Sequence, residues 1–154
     1  MDAKNATHQG KRIMVVDDSQ VILRTLSFVL KARGYEVITA TGGPETLSNL
    51  NGEPPDLILL DLAFAPDAAS VGGPLRDGFL LLQWLRRTGW AVGVPIIIIS
   101  ATDPETYKER AQAEGIVACF HKPINRDKLL DVIHATLVGK PGDEPSDAAD
   151  YQVY

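Results

Sequence analysis

Three aspartates, a serine and a lysine stand at or just beyond the ends of short apolar runs in this chain. Asp17 and Asp18 follow IMVV, Asp61 follows LILL, Ser100 follows IIII, and Lys122 closely follows ACF. If these runs are parallel strands, their carboxyl ends share one edge of a sheet. Three carboxylates at one edge would repel one another and raise their pKa values unless a cation shared the site. The residue types therefore predict a cation site.

The expected chemistry is phosphoryl transfer. A small set of oxygen ligands, with positions left for water and phosphate, favours Mg²⁺ over Ca²⁺. A carboxylate beside Mg²⁺ can attack a phosphoryl group and form an aspartyl phosphate. A lysine ammonium can neutralise the phosphoryl oxygens, and a hydroxyl can donate a hydrogen bond to one of them. All of these groups are present in the chain.

Five short apolar runs alternate with helix-length segments, a pattern typical of a parallel sheet. The runs LILL and IIII have no polar alternation, which predicts central strands covered on both faces. Ser19 is a candidate cap for the first helix, and Gly34 suits its end. The predicted strands are Arg12–Val16, Glu36–Thr39, Leu57–Leu60, Pro95–Ile99 and Ala118–Phe120. The later helices are predicted at Pro44–Leu50, Phe79–Arg87, Pro104–Ala113 and Asn125–Leu137. Together these elements predict a doubly wound α/β sheet.

Composition narrows the class of protein. A length of 154 residues suits one globular domain, and no apolar run approaches the roughly 20 residues of a membrane span. A formal charge of −5 argues against nonspecific attraction to nucleic acid or to anionic membranes, and we expect neither direct nucleic-acid binding nor membrane insertion. One cysteine and an N-terminus without an apolar core favour the cytoplasm. We expect disordered tails at residues 1–10 and at the acidic 139–154, with the domain at 11–138.

The segments VVDDSQ, LILLDL, DGFLLLQWLR, IIIISA and HKPI, in this order, resemble the receiver domain of two-component response regulators. The resemblance covers roughly Lys11 to Val138. It implies a CheY-like, flavodoxin-like fold: a five-stranded doubly wound parallel sheet of order 2-1-3-4-5 flanked by five helices. It also implies the roles of seven residues: Asp17 and Asp18 as the acidic pair that binds Mg²⁺, Asp61 as phosphoacceptor and metal ligand, the backbone carbonyl of Ala63 as a further metal ligand, Ser100 as the switch hydroxyl, Lys122 as the site lysine and Pro123 as a cis-prone proline.

The resemblance further implies a histidine kinase or a histidine phosphotransfer protein as donor and an unidentified downstream protein as target. A homodimer is left open. The domain would catalyse only its own phosphorylation and dephosphorylation, so it is not expected to be an enzyme otherwise. Two alternatives keep the fold: a phosphate-shuttling relay intermediate and a pseudo-receiver that acts as a constitutive interaction module. A phosphatase of the haloacid-dehalogenase type is disfavoured, because its Asp-x-Asp pattern does not match Asp17-Asp18-Ser19.

Two features depart from the family pattern. Receivers usually carry an aromatic residue three positions before the lysine, where this chain has Cys119. Phe120 should face the opposite side of the sheet, so we expect no simple replacement for the aromatic half of the switch. The pair Asp77-Gly78 also follows Asp61 after a longer gap than usual, which predicts an inserted loop at about 63–76.

Overall fold

The computed structural model describes residues 10–42, 48–49, 53–62, 78–89, 92–138 and the backbone of 151–153. Within them, six strands form one sheet of order β2-β1-β3-β4-β5-β6. The strands are β1 Arg12–Val16, β2 Glu36–Ala40, β3 Leu57–Leu60, β4 Ile96–Ser100, β5 Ala118–His121 and β6 Tyr151–Val153. The helices are α1 Gln20–Ala32, α2 Gly78–Arg87, α3 Lys108–Ala113 and α4 Arg126–Val138, with a 3₁₀ turn at Pro104–Thr106.

The first five strands are parallel and confirm the predicted order 2-1-3-4-5. The sixth strand departs from the expected disorder of the C-terminal tail, because Tyr151–Val153 pairs antiparallel with β5. The helix predicted at Pro44–Leu50 and the inserted loop at about 63–76 fall outside the described residues, apart from Ser48 and Asn49, which are helical. No helix among the described residues is long and apolar enough to cross a bilayer.

Hydrophobic clusters cover both faces of the sheet, as the continuous apolar runs predict. Alternate residues of β3 and β4 point to opposite faces. Leu60 and Ile98 pack with α2 and α3 on one face, whereas Leu59 and Ile97 pack with α1 and α4 on the other. All eight residues of LILL and IIII are buried. Burial on both faces fixes the central strands, so the side chains at their carboxyl ends lie on a rigid frame.

One helix start follows the local sequence pattern, and another departs from it. Ser19 caps α1 as predicted, because its hydroxyl accepts a hydrogen bond from the backbone N–H of Ile22. The helix predicted at Pro104–Ala113 is interrupted, and Tyr107 separates the 3₁₀ turn from α3. The ring of Tyr107 packs edge-on against Phe79 in the core. Burial of this ring accompanies the break that the sequence pattern did not predict.

Ionisation of the Tyr35 phenol should lower the free energy of unfolding at alkaline pH. Burial of its side chain raises the pKa of the phenol from 10.0 to about 12. A raised phenol pKa favours the folded state below pH 10, and this contribution is lost as pH rises from 10 through 12. We expect the free energy of unfolding of the wild type to fall by at most about 3 kcal/mol over this range through Tyr35. Urea titrations at successive pH values should show a shallower alkaline decline in Tyr35→Phe, and identical declines would contradict the assignment.

Candidate functional site

The three aspartates predicted to share a site do lie together. Asp17 and Asp18 follow β1, Asp61 follows β3, and the last residues of these neighbouring strands, Val16 and Leu60, are register partners. The backbone N–H of Asp61 donates to the carbonyl of Val16 at 2.9 Å, which continues the strand pairing to the acidic residues. One carboxylate oxygen from each aspartate lies within 4.8 Å of the others. The fold therefore forms a single acidic cluster at the carboxyl edge of the sheet.

Burial raises the free-energy cost of placing these carboxylates close together. Asp17 is fully buried and Asp61 is 3% exposed, whereas Asp18 is exposed to solvent. The Lys122 ammonium contacts both buried carboxylates, with Nζ 2.8 Å from Asp17 Oδ2 and 3.3 Å from Asp61 Oδ2. The amide of Ser19 also donates to Asp17 Oδ1 at 2.9 Å. Two nearly buried negative charges thus share one positive charge.

The pKa values of this group follow from burial and pairing. Burial raises the pKa of Asp17, and this effect outweighs the hydrogen bonds from Lys122 and Ser19. Burial alone would lower the pKa of Lys122, but its hydrogen bond to Asp17 and the charge of Asp61 raise the pKa above its ordinary value. Lys122 therefore remains an ammonium at neutral pH. Its single charge leaves the three-carboxylate cluster with an excess of negative charge.

The ends of β4 and β5 complete this edge. Ser100, the last residue of β4, is fully buried, and its hydroxyl oxygen accepts a hydrogen bond from the backbone N–H of Thr102 at 3.1 Å. The backbone N–H of Lys122 donates to the Ser100 carbonyl at 2.9 Å, so these two residues are joined through the main chain. The peptide bond between Lys122 and Pro123 is cis, as the resemblance implies. Ser100 and Lys122 therefore sit at the same edge as the acidic cluster.

Cys119 occupies the position where receivers usually have an aromatic switch residue. Its side chain is fully buried in the cluster that contains Ile98 and Tyr107. Phe120 packs in the opposite cluster, as strand alternation predicts. Within the described residues, the ring nearest in sequence to the missing aromatic therefore lies across the sheet from Cys119. The usual inward movement of an aromatic side chain has no counterpart at this strand position.

The donor set fits a divalent cation. Asp17, Asp18 and Asp61 offer oxygen ligands from one small region, and the exposure of Asp18 keeps a path to solvent. Hard oxygen ligands in this number match Mg²⁺, which usually retains several waters. Lys122 balances one of the three negative charges and leaves the rest for an ion. Ala63, expected to add a backbone carbonyl, lies outside the described residues.

Gly78 is a site residue whose role the sequence patterns did not reveal. It begins α2, and its backbone N–H donates to the Leu62 carbonyl at 3.2 Å. A Cβ atom at this position would lie 2.7 Å from the Asp61 carbonyl oxygen and 3.0 Å from Leu62 Cα. Only glycine permits this approach to backbone atoms without displacement. A glycine at the start of an otherwise apolar helix was the available sequence signal.

Replacement of Gly78 by alanine should disturb both stability and the acceptor. Because the colliding atoms belong to the backbone, the chain around Asp61 must shift, and we expect a loss of about 1–3 kcal/mol in the free energy of unfolding. Urea unfolding measures this loss directly. Gly42→Ala is the matched control, since an added Cβ there meets no atom within 4 Å. Equal stability of the two variants would show that the close approach is not a constraint.

Comparisons with known proteins agree with this geometry. A family model described as the response regulator receiver domain matches residues 13–134. Protein PilH of Pseudomonas aeruginosa is 29% identical over 128 residues, which is 83% of this chain and 98% of PilH. The polar-differentiation response regulator DivK of Brucella anthropi is 27% identical over 82% of this chain and 96% of DivK. The transcriptional regulatory protein PhoP of Bacillus subtilis is 37% identical, but the match spans only 49% of its length.

A solved structure gives the same result. The chemotaxis response regulator CheY4 of Vibrio cholerae superposes with a TM-score of 0.69 at 28% identity, covering 84% of this chain and all of CheY4. The strand order, the acidic cluster and the family match over most of the chain agree with one another. The chain belongs to the response regulator receiver domain family and is a phosphorylation-activated receiver of two-component signalling.

Proposed function

We propose that Asp61 is the phosphoryl acceptor of this receiver domain and that Asp17 and Asp18 complete its Mg²⁺ site. The observation that carries the proposal is the convergence of the three carboxylates, with the Lys122 ammonium in contact with both buried ones. Asp61 is the proposed acceptor because it directly follows the central strand β3, and because Lys122 lies farther from it, at 3.3 Å, than from Asp17, at 2.8 Å. The backbone carbonyl of Ala63 is a further proposed ligand.

Asp61 and Lys122 have separate proposed roles in the phosphoryl transfer. A carboxylate oxygen of Asp61 attacks phosphorus, and the bond from phosphorus to the donor atom breaks with its electron pair leaving on the donor. Mg²⁺, when bound, supplies positive charge that offsets the phosphoryl oxygens and the surrounding carboxylates. The ammonium of Lys122 has three donors, so it can keep Asp17 and also contact a phosphoryl oxygen.

Ser100 holds the other side of the phosphoryl group. Its hydroxyl oxygen accepts from the Thr102 N–H, which leaves the Ser100 O–H able to donate to a phosphoryl oxygen. The backbone hydrogen bond between Lys122 and the Ser100 carbonyl holds β4 and β5 together at this edge. A movement of Ser100 toward the phosphoryl group would therefore also shift the end of β5. The phosphorylated state can thereby change the surface beside β4 and β5.

The proposed donor is a histidine kinase or a histidine phosphotransfer protein, and the proposed reader is a separate protein. The chain spans only about half the length of the regulator PhoP, and no role of the rest of PhoP is proposed for this chain. Direct nucleic-acid binding is not proposed for a chain of formal charge −5. The single cysteine, buried Cys119, suits the reducing cytoplasm in which we propose that the domain works. The proposed catalytic role of the domain is confined to its own phosphorylation and dephosphorylation.

Intact-mass measurement tests the acceptor assignment. Incubation with acetyl phosphate and Mg²⁺ should add the mass of one phosphoryl group to the wild-type chain and none to Asp61→Asn. Asp131→Asn is the matched control, because Asp131 is exposed on α4, and it should label like the wild type. Undiminished labelling of Asp61→Asn would place the phosphoryl group elsewhere.

A further inference from the structure

The outer edge of β5 is the last edge of the parallel sheet, and it is paired in this chain. Ala118, Cys119 and Phe120 of β5 lie opposite Val153, Gln152 and Tyr151 of β6. All three β5 residues are fully buried. An edge strand with buried side chains and exposed backbone donors and acceptors is a ready site for pairing with another extended segment. Here that segment comes from the chain itself.

Alternation along β5 identifies the amide that should face this edge. The N–H of Lys122 donates to the Ser100 carbonyl and so points toward β4. Successive amides of a strand point to opposite sides, so the Phe120 amide also faces β4 and the Cys119 amide faces β6. Cys119 is the register partner of Gln152. Protection of the Cys119 amide is therefore a local measure of β6 pairing.

The connection between α4 and β6 is long enough for pairing within one molecule. Helix α4 has 13 residues and runs back from the site edge for about 20 Å. Tyr151 lies opposite Phe120, near the site edge, so the chain must return over a comparable distance. Residues 139–150 can span at most about 40 Å when extended. This tether also keeps the segment at a high effective concentration beside β5.

We propose that the outer edge of β5 is a docking site for one extended antiparallel strand and that Tyr151–Val153 of the same chain occupies it as a removable cap. Removability follows from its size, because three residue pairs join the two strands within the described part of the chain. Few hydrogen bonds must offset the loss of conformational freedom in the segment. A partner that reads this edge through strand pairing has to displace the C-terminal segment first.

The position of the cap relates it to the phosphorylation site. β5 continues directly into His121 and Lys122, and Lys122 contacts Asp17 and Asp61. The cap pairs with Cys119, the position at which the usual aromatic switch residue is missing. The capped strand therefore leads directly into the residue that contacts both buried carboxylates.

Amide hydrogen exchange tests the cap without any phosphoryl donor, so its outcome does not depend on Asp61 chemistry. Removal of residues 151–154 should speed exchange of the Cys119 amide by about tenfold or more. The Phe120 amide, which faces β4, should exchange at an unchanged rate and serves as the internal control. Gln152→Pro should act like the truncation, since proline cannot donate to the strand ladder. Ala148→Pro, outside β6, is the matched control and should leave Cys119 protected.

Two results would overturn the proposal. Equal Cys119 exchange in the full and truncated chains would show that the edge is not capped. Cys119 protection that grows with protein concentration together with dimer formation would show that a second copy supplies the strand. Protection that is independent of concentration in a monomeric chain is the expected result.

Discussion

Replacing Lys122 with methionine should lower the free energy of unfolding by about 3 kcal/mol at neutral pH in metal-free buffer. The stem of methionine retains much of the packing, whereas the ammonium that contacts Asp17 and Asp61 is lost. Both carboxylates are almost inaccessible to water, so no solvent shell replaces the missing partner. Removing one member of a buried ionic group leaves uncompensated charge, which costs more than the pair itself contributes.

The same variant should regain stability as the pH is lowered. Burial already raises the pKa of Asp17, and loss of the Lys122 ammonium raises it further. The folded variant therefore binds a proton at a higher pH than the unfolded chain does, so its deficit relative to wild type shrinks toward acid pH. Urea titrations at several pH values measure this trend. Lys31→Met, on the exposed end of α1, is the control and should be nearly neutral. A deficit that does not change with pH would contradict the assigned role of Lys122.

Mg²⁺ binding should weaken by about a hundredfold or more in the double variant Asp17→Asn with Asp18→Asn. Asp61 alone then provides one carboxylate, which is too little charge to hold a strongly hydrated ion against water. Asp17 contributes a buried oxygen close to Asp61, and Asp18 contributes one that is open to solvent. Isothermal titration calorimetry gives the affinity of each protein. The acceptor Asp61 is intact in this variant, so the experiment separates metal binding from acceptor chemistry.

The matched control removes the same charge from elsewhere on the surface. Asp127→Asn with Asp131→Asn replaces two exposed carboxylates of α4. Its Mg²⁺ affinity should match the wild type, because long-range charge is screened by salt and neither group is a proposed ligand. Similar affinities for all three proteins would exclude the acidic cluster as the metal site.

Sequence patterns predicted most of the sheet, because strands that are buried on both faces appear in the sequence as continuous apolar runs. The predicted bounds of Arg12–Val16 and Leu57–Leu60 agree with β1 and β3. The structure also confirms the Ser19 cap and the burial of Cys119 and Phe120 on opposite faces of the sheet. Both features depend on local backbone geometry, which can be predicted from neighbouring residues. The acidic cluster followed from the rule that parallel strands share one carboxyl edge.

The remaining differences depend on contacts between distant residues. The interruption at Tyr107 accompanies its packing against Phe79, which no local periodicity reports. The close approach of Gly78 to the Asp61 carbonyl depends on where α2 meets β3. Composition favoured disorder for residues 139–154, but Tyr and Val are residue types with high strand propensity, and Tyr151–Val153 pairs with the outer edge of β5.

The position of the phosphorylated residue tests the proposed role of Asp61 most directly. Treatment with acetyl phosphate and Mg²⁺, followed by borohydride, converts an aspartyl phosphate to homoserine, which tandem mass spectrometry locates within a peptide. Homoserine is expected at position 61 only, and none is expected there when Mg²⁺ is removed by chelation. Homoserine at position 17 or 18, or at no position in a chain that retains its fold and binds Mg²⁺, would contradict it.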